Sequence, residues 1–157
     1  MKHVITSLVK NESGVLSRVS NLFSGRGYNV ETLTGAPILD EEYSKITVVT
    51  SENETVLEQI KKQLEKLIPV VKVTEMTIEN SICKELVMMK IIIEPERRNE
   101  LFRILELFDA KVLNIVDNLA YTIQIVGDER QIDSFIELMK TFEIKEFVRS
   151  GTIAISK

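Results

Sequence analysis

The residues best suited to binding chemistry flank one short apolar-periodic stretch: Asn11, Ser13 and Gly14 before it, Gly25, Gly27 and Asn29 after it. A helix beginning at Ser13 or Gly14 presents unpaired N–H groups and the positive end of its dipole. A carboxylate placed over Ser13, Gly14 and Val15 is then held without any basic side chain. Gly14, with no Cβ, lets a ligand approach the backbone, and the amide oxygens of Asn11 and Asn29 suit an ammonium group. These are the parts of a small site for a zwitterion, with nearby apolar side chains as its sieve. Ordinary helix punctuation explains the same residues, with Asn11 or Ser13 as N-cap and Gly27 as the left-handed terminator. On these residues alone both readings stay open.

Other chemistries fare worse. A nucleophilic triad needs a base beside a Ser or Cys, and the only histidine, His3, stands at the chain terminus. Cys83 has no second cysteine for a disulfide and no nearby histidine for a thiolate–imidazole metal site. Asp40, Glu41 and Glu42 read as a solvated turn. Ser24 to Asn29 contains Gly-x-Gly, but Val30 replaces the third glycine of a dinucleotide fingerprint and the stretch follows a helix where the fingerprint follows a strand. A net charge of −4 leaves no positive excess for phosphates or anionic lipid, so nucleic acid is not expected as a partner. The longest apolar runs are broken at Lys90 and Glu94, short of the ~20 residues of a membrane span. The start of the chain lacks a signal-like apolar region, so a cytoplasmic location is expected.

The elements that must position these residues follow from periodicity. Val4–Val9 reads as a strand. Leu16, Val19, Leu22 and Phe23 form a one-faced helical stripe ended by Gly25 and Gly27. Val30–Pro37 and Tyr43–Thr50 read as a hairpin around Asp40–Glu42. Val56, Ile60, Leu64 and Leu67 mark a second helix up to Pro69, and Val70–Thr77 a fourth strand. The order β-α-β-β-α-β then repeats. Leu86–Ile93 is a strand, Arg97–Phe108 a helix, and Val112–Val116 with Tyr121–Val126 a hairpin turning at Asp117 and Asn118. A helix carrying Ile132, Phe135, Ile136 and Met139 follows, then a last strand over Phe147–Ile155. Ile46-Thr47-Val48-Val49 echoes Ile123-Gln124-Ile125-Val126. The expected fold is α+β, two ferredoxin-like βαββαβ domains in tandem over residues 1–78 and 85–157, with a linker at 79–84. That fold hosts many functions, so the site has to carry the functional reading.

The stretch Asn11-Glu12-Ser13-Gly14-Val15-Leu16-Ser17-Arg18-Val19 and the stretch Leu22 to Leu33 resemble the start of the small, regulatory subunit of acetolactate (acetohydroxyacid) synthase. The resemblance continues through Val56–Leu64, Lys84–Ile91 and Arg149-Ser150-Gly151, covering nearly the whole chain. Ser13 stands where many relatives carry proline. The resemblance implies an N-terminal ACT domain that binds effector and dimerises, followed by a second domain of similar topology. It implies a non-catalytic chain that forms a homodimer through the ACT domain and binds valine or a related branched-chain amino acid at the dimer interface. Such a chain activates and feedback-regulates a separate catalytic subunit in branched-chain amino-acid biosynthesis. That large subunit would carry thiamine diphosphate, magnesium and FAD, and this chain no cofactor or metal. Carried over to this sequence, the effector site falls on Asn11, Gly14, Val15, Leu16, Asn29 and Val30, with Ser17 and Ala36 nearby. The alternative is a free-standing ACT-type amino-acid sensor acting on another enzyme or regulator.

Overall fold

Apolar residues at alternate positions put one face of a strand against helices, and the structure builds two sheets on that rule. The computed structural model describes residues 2–77 and 79–157; Met1 and Ile78, the ends of the first expected domain, lie outside the described residues. The elements are β1 (His3–Lys10), α1 (Val15–Arg26), β2 (Thr32–Pro37), β3 (Tyr43–Thr50), α2 (Glu54–Glu65), β4 (Val70–Met76), β5 (Ser81–Ile92), α3 (Arg98–Leu107), β6 (Lys111–Val116), β7 (Ala120–Gly127), α4 (Glu129–Met139), β8 (Glu143–Arg149) and β9 (Ile153–Ser156). The chain forms two compact units, residues 1–83 with 152–157, and residues 84–151.

In the first unit the strands run antiparallel in the order β2-β3-β1-β4. Ile5 and Val9 of β1 share a face with Ile46 and Val48 of β3. Onto that face pack Val15, Val19 and Phe23 of α1 and Leu57, Ile60 and Leu64 of α2. Ile60 and Leu64 are fully buried, and each such side chain contributes about 1.5–3 kcal/mol of transfer free energy. The helix stripe expected to include Leu16 is turned by one position. Val15 is buried and Leu16 is 55% exposed, so the phase of α1 leaves Leu16 outside the core.

The second unit repeats the order as β6-β7-β5-β8, with Val87, Met89 and Ile91 facing Leu101, Leu105, Ile132 and Phe135. The repeat extends to register. β1 pairs Leu8 with Lys45, β5 pairs Lys90 with Thr122, and the ladder to the outer strand slips immediately after both residues, at Leu8/Val9 and at Lys90/Ile91. A slip at the same place in each sheet shows that the halves share one backbone plan, a stronger sign than the short echo around Ile46 and Ile123.

Two expectations are corrected here. Residues 79–84 include the crossing between the units, after Cys83, but a turn at Glu79 and Asn80 leads at once into β5, which begins at Ser81 rather than Leu86. The last strand is not continuous over Phe147–Ile155. β8 starts at Glu143 and ends at Arg149, Gly151 takes φ 77°, and β9 follows. That left-handed backbone, available at little cost to glycine, redirects the chain, so residues 152–157 rejoin the first unit. There β9 pairs with β5, and the Lys157 N–H donates to the Asn80 carbonyl at 2.9 Å.

Candidate functional site

The corner between β1 and α1 is assembled by Asn11. Its backbone N–H donates to the Glu42 carbonyl at 2.7 Å, and its Nδ2 donates to the Glu41 carbonyl at 2.9 Å. The acidic turn thus serves through its carbonyl oxygens, with the Asp40 carboxylate itself capping the Glu42 N–H at 3.2 Å. With Nδ2 occupied, the sp2 geometry of the carboxamide aims Oδ1 away from that turn, and no described residue donates to it.

Gly14, not Asn11 or Ser13, is the N-cap of α1, at φ 85° and ψ −3°, and no side chain caps it. This corrects the expected cap. A left-handed residue at this position turns the chain sharply into the helix, and the neighbouring side chains do not reach back. α2 and α4 have side-chain caps, Asn53 accepting from the Val56 N–H and Asp128 from the Gln131 N–H, whereas α3, like α1, has none. The first turn of α1 carries no acidic residue. The N–H groups of Leu16 and Ser17 therefore stand at the positive end of the dipole with no partner among the described residues.

These groups open into a cleft of about 340 Å³, within the range of small-molecule sites. Its walls are the first turn of α1, Gly14 to Ser17, and the edge strand β2 at Gly35, Ala36 and Pro37. Val9, Ser44 and Ile46 line its base. A Cβ on Gly35 would lie 3.6 Å from both Leu16 Cδ2 and Ile46 Cγ1, so α1 and β2 approach to ordinary contact there. The exposed Leu16 is thereby held over the cleft wall. The cleft thus unites Asn11, Gly14, Val15, Leu16, Ser17 and Ala36. Sequence reasoning missed Gly35, Pro37 and Ser44; a glycine inside a strand pattern is the signal for Gly35.

Asn29 and Val30 lie elsewhere. α1 spans twelve residues, about 18 Å of rise, and Asn29 follows its far end. The helix stops in a Schellman turn: Gly27, at φ 68°, donates to the Ser24 carbonyl, and Tyr28 N–H to the Phe23 carbonyl at 3.0 Å. The Phe23 and Tyr28 rings meet edge-on across that turn, at 6.4 Å between centroids. Asn29 is fixed by its backbone, its N–H to Glu52 Oε1 at 2.9 Å and its carbonyl from Thr50 Oγ1 at 2.7 Å. Its side chain is left exposed, and Val30 packs on the core. One chain cannot bring Asn11 and Asn29 to one small ligand.

The remaining candidates have structural surroundings. His3 Nδ1 lies 3.6 Å from Glu75 Oε1, and Cys83 Sγ lies 3.7 Å from Ser81 Oγ. Among the described residues no group of three His, Cys, Asp or Glu side chains could hold a metal ion, and no helix is long and apolar enough to cross a membrane. The equivalent corner of the second unit is a 3-10 turn, Pro95–Arg97. Arg97 forks onto Glu100 at 2.8 Å and donates to the Thr141 carbonyl, and Val112 takes the register position of Gly35.

Comparison with known proteins meets this geometry at both ends of the chain. A family model described as the AHAS small subunit-like ACT domain matches residues 5–72, and one described as the small subunit of acetolactate synthase matches residues 84–157. The chain is 39% identical to the probable acetolactate synthase small subunit of Archaeoglobus fulgidus, over 99% of this chain and 96% of that one. It is also 39% identical to the acetolactate synthase isozyme 3 small subunit of Escherichia coli, over 100% and 96%. Among solved structures, the small subunit of acetolactate synthase from Thermotoga maritima superposes with a TM-score of 0.92 at 30% identity, covering 100% of this chain and 98% of that one.

Proposed function

The chain belongs to the acetolactate synthase small-subunit family, and from that premise we propose that it is the effector-sensing subunit through which valine, or a related branched-chain amino acid, controls the catalytic subunit. The observation that carries this reading is the uncapped N-terminus of α1, opening through Gly14 into an apolar-walled cleft. The ligand carboxylate accepts from the N–H groups of Leu16 and Ser17, and the absence of a Cβ at Gly14 lets it sit against the backbone. Asn11 Oδ1 accepts from the ammonium group. Leu16, Ala36 and Pro37 meet the branched side chain, whose fit favours aliphatic over polar amino acids.

The second half of the site comes from a second copy. Among the described residues β2 pairs only with β3, and its other edge has no strand beside it in the sheet order. Two such edges joined about a two-fold axis give a continuous sheet with no open seam at β2, which is how an edge strand is protected. That arrangement supplies Asn29 of the partner subunit, whose exposed side chain has no role within its own chain, to the open mouth of the cleft, with the partner's Val30 behind it. In this reading the first unit is the ACT effector and dimerisation domain. Control is then linkage: an effector that prefers one arrangement of the dimer shifts whatever the catalytic subunit also distinguishes, with coupling energies of about 1–3 kcal/mol. In this reading the catalytic subunit carries thiamine diphosphate, magnesium and FAD, and this chain's part is to bind, sense and transmit in the cytoplasm.

Calorimetric titration of the purified chain with valine, leucine and isoleucine, beside its mass in solution, tests this. The expected result is a dimer that binds a branched-chain amino acid and loses that binding in Asn29→Ala while remaining dimeric. A dimer that binds none of the three, alone or with the catalytic subunit, overturns the reading.

A further inference from the structure

Building on the effector site proposed above, we infer that Thr34 couples the cleft to the second unit by holding the carbonyl of Thr152. Thr34 immediately precedes Gly35, Ala36 and Pro37, the β2 wall of the cleft. Its Oγ1 donates to the Thr152 carbonyl at 2.8 Å, a partly buried bond between residues 118 apart in sequence. Thr152 is the first residue of the segment that returns from the second unit, and Gly151 beside it carries the left-handed φ of 77°.

The chain therefore crosses between units twice, after Cys83 and after Gly151. The second crossing is gripped on both sides. On the side of the second unit, Ser150 N–H donates to the Leu86 carbonyl at 2.9 Å and Leu86 N–H to Ser150 Oγ at 3.0 Å. On the side of the first unit, Thr34 makes the hydrogen bond just described, while Lys157 N–H to the Asn80 carbonyl anchors the far end of the segment.

Among the described residues of its own chain, β2 is tied to the sheet by β3, so a shift of the Gly35–Pro37 wall passes into the rest of its unit through that ladder and through Thr34. A side chain that settles between Leu16 and that wall displaces Thr34 with it. The hydrogen bond from Thr34 to the Thr152 carbonyl then either carries the displacement into the crossing or breaks and releases it. Each outcome gives the crossing two arrangements that effector occupancy biases, the requirement for a physical coupling route. Thr34 is thus a positioning residue, outside the ligand's contacts.

The test uses the full-length dimer reconstituted with its catalytic subunit. Thr34→Val keeps the branched shape that strands favour and removes the donor, and Thr34→Ser restores a hydroxyl. We expect Thr34→Val to hold valine's dissociation constant, by calorimetry, within about threefold of wild type, while the effect of valine on activity falls by about fivefold or more, the low end of allosteric coupling. Thr34→Ser should recover regulation. Unchanged binding with unchanged regulation in Thr34→Val overturns the coupling role. So does loss of binding in step with regulation, which would put Thr34 inside the site, and so does a Thr34→Ser protein that stays uncoupled. Wild-type protein that binds no branched-chain amino acid is a different failure, removing the effector reading and the coupling together.

Discussion

Gly14→Asp separates the two jobs of Gly14, shaping the helix start and admitting a ligand. A Cβ at Gly14 meets no heavy atom within 4 Å, so substitution there meets no clash and its cost to folding is backbone conformation at φ 85°. An L-residue in the left-handed region costs about 1–2 kcal/mol. Aspartate tolerates that region better than most residues, and its charge at a helix N-terminus recovers about 0.3–1 kcal/mol. The net loss, about 1 kcal/mol, lowers the melting temperature by roughly 4–8 °C for a unit of this size. Binding suffers far more. Two carboxylates about 5 Å apart at an effective dielectric of about 20 repel by about 3 kcal/mol, roughly a hundredfold in affinity. Gly14→Asn is the control, alike in shape and left-handed tolerance but neutral. Calorimetry with valine should show Asn retaining most of the affinity and Asp losing it, with both proteins folded and dimeric. Equal affinities for Asp and Asn would refute a ligand carboxylate at this helix end.

Three further outcomes test the framework around the site. Glu85 is only 5% exposed, and Arg149 joins its carboxylate at 2.5 Å and Asp133 at 2.9 Å; Arg149→Ala should therefore destabilise the second unit by about 1.5–3 kcal/mol in urea, because charged hydrogen bonds to both carboxylates are lost. Asp128→Ala removes the acceptor for the Gln131 N–H on α4 and should cost about 1 kcal/mol, and a change within error would show the cap to be idle. The hydrogen bond from Lys2, at 2.8 Å, holds the Glu31 carboxyl below its ordinary value of 4.5. A depressed folded pKa contributes stability that is present above the unfolded value and lost as pH falls through the folded one. Lys2→Gln should thus differ from wild type near neutral pH and converge with it below about pH 4.5, by chemical unfolding across that range.

The alternation of Ile5 with Val9 and of Ile46 with Val48, and the helical spacing of Ile132, Phe135 and Met139, made the tandem repeat legible in the sequence. In each, burial of one face admits a single period. Gly27 was legible as a terminator, since only its φ and the Phe23–Tyr28 contact were needed to complete the turn. The phase of α1 was not. Apolar residues at 15, 16, 19, 22 and 23 allow two adjacent faces, and packing on Ile5 and Ile46 chose the one that buries Val15 and frees Leu16 for the cleft.

The chemistry of the candidate site was written locally, in Asn11, Gly14 and their neighbours, because a helix N-terminus makes its own donors and dipole from a few consecutive residues. Local sequence likewise fixed the order of strands and helices in both halves. What tertiary structure decided is everything that joins distant segments. It brought β2 to within contact of Leu16 across Gly35, set Asn29 at the opposite end of α1 from Asn11, and bent the chain at Gly151 so that Thr152 meets Thr34. Such meetings depend on where whole elements pack. Periodicity reports which face of an element is buried, and is silent on which neighbour covers it.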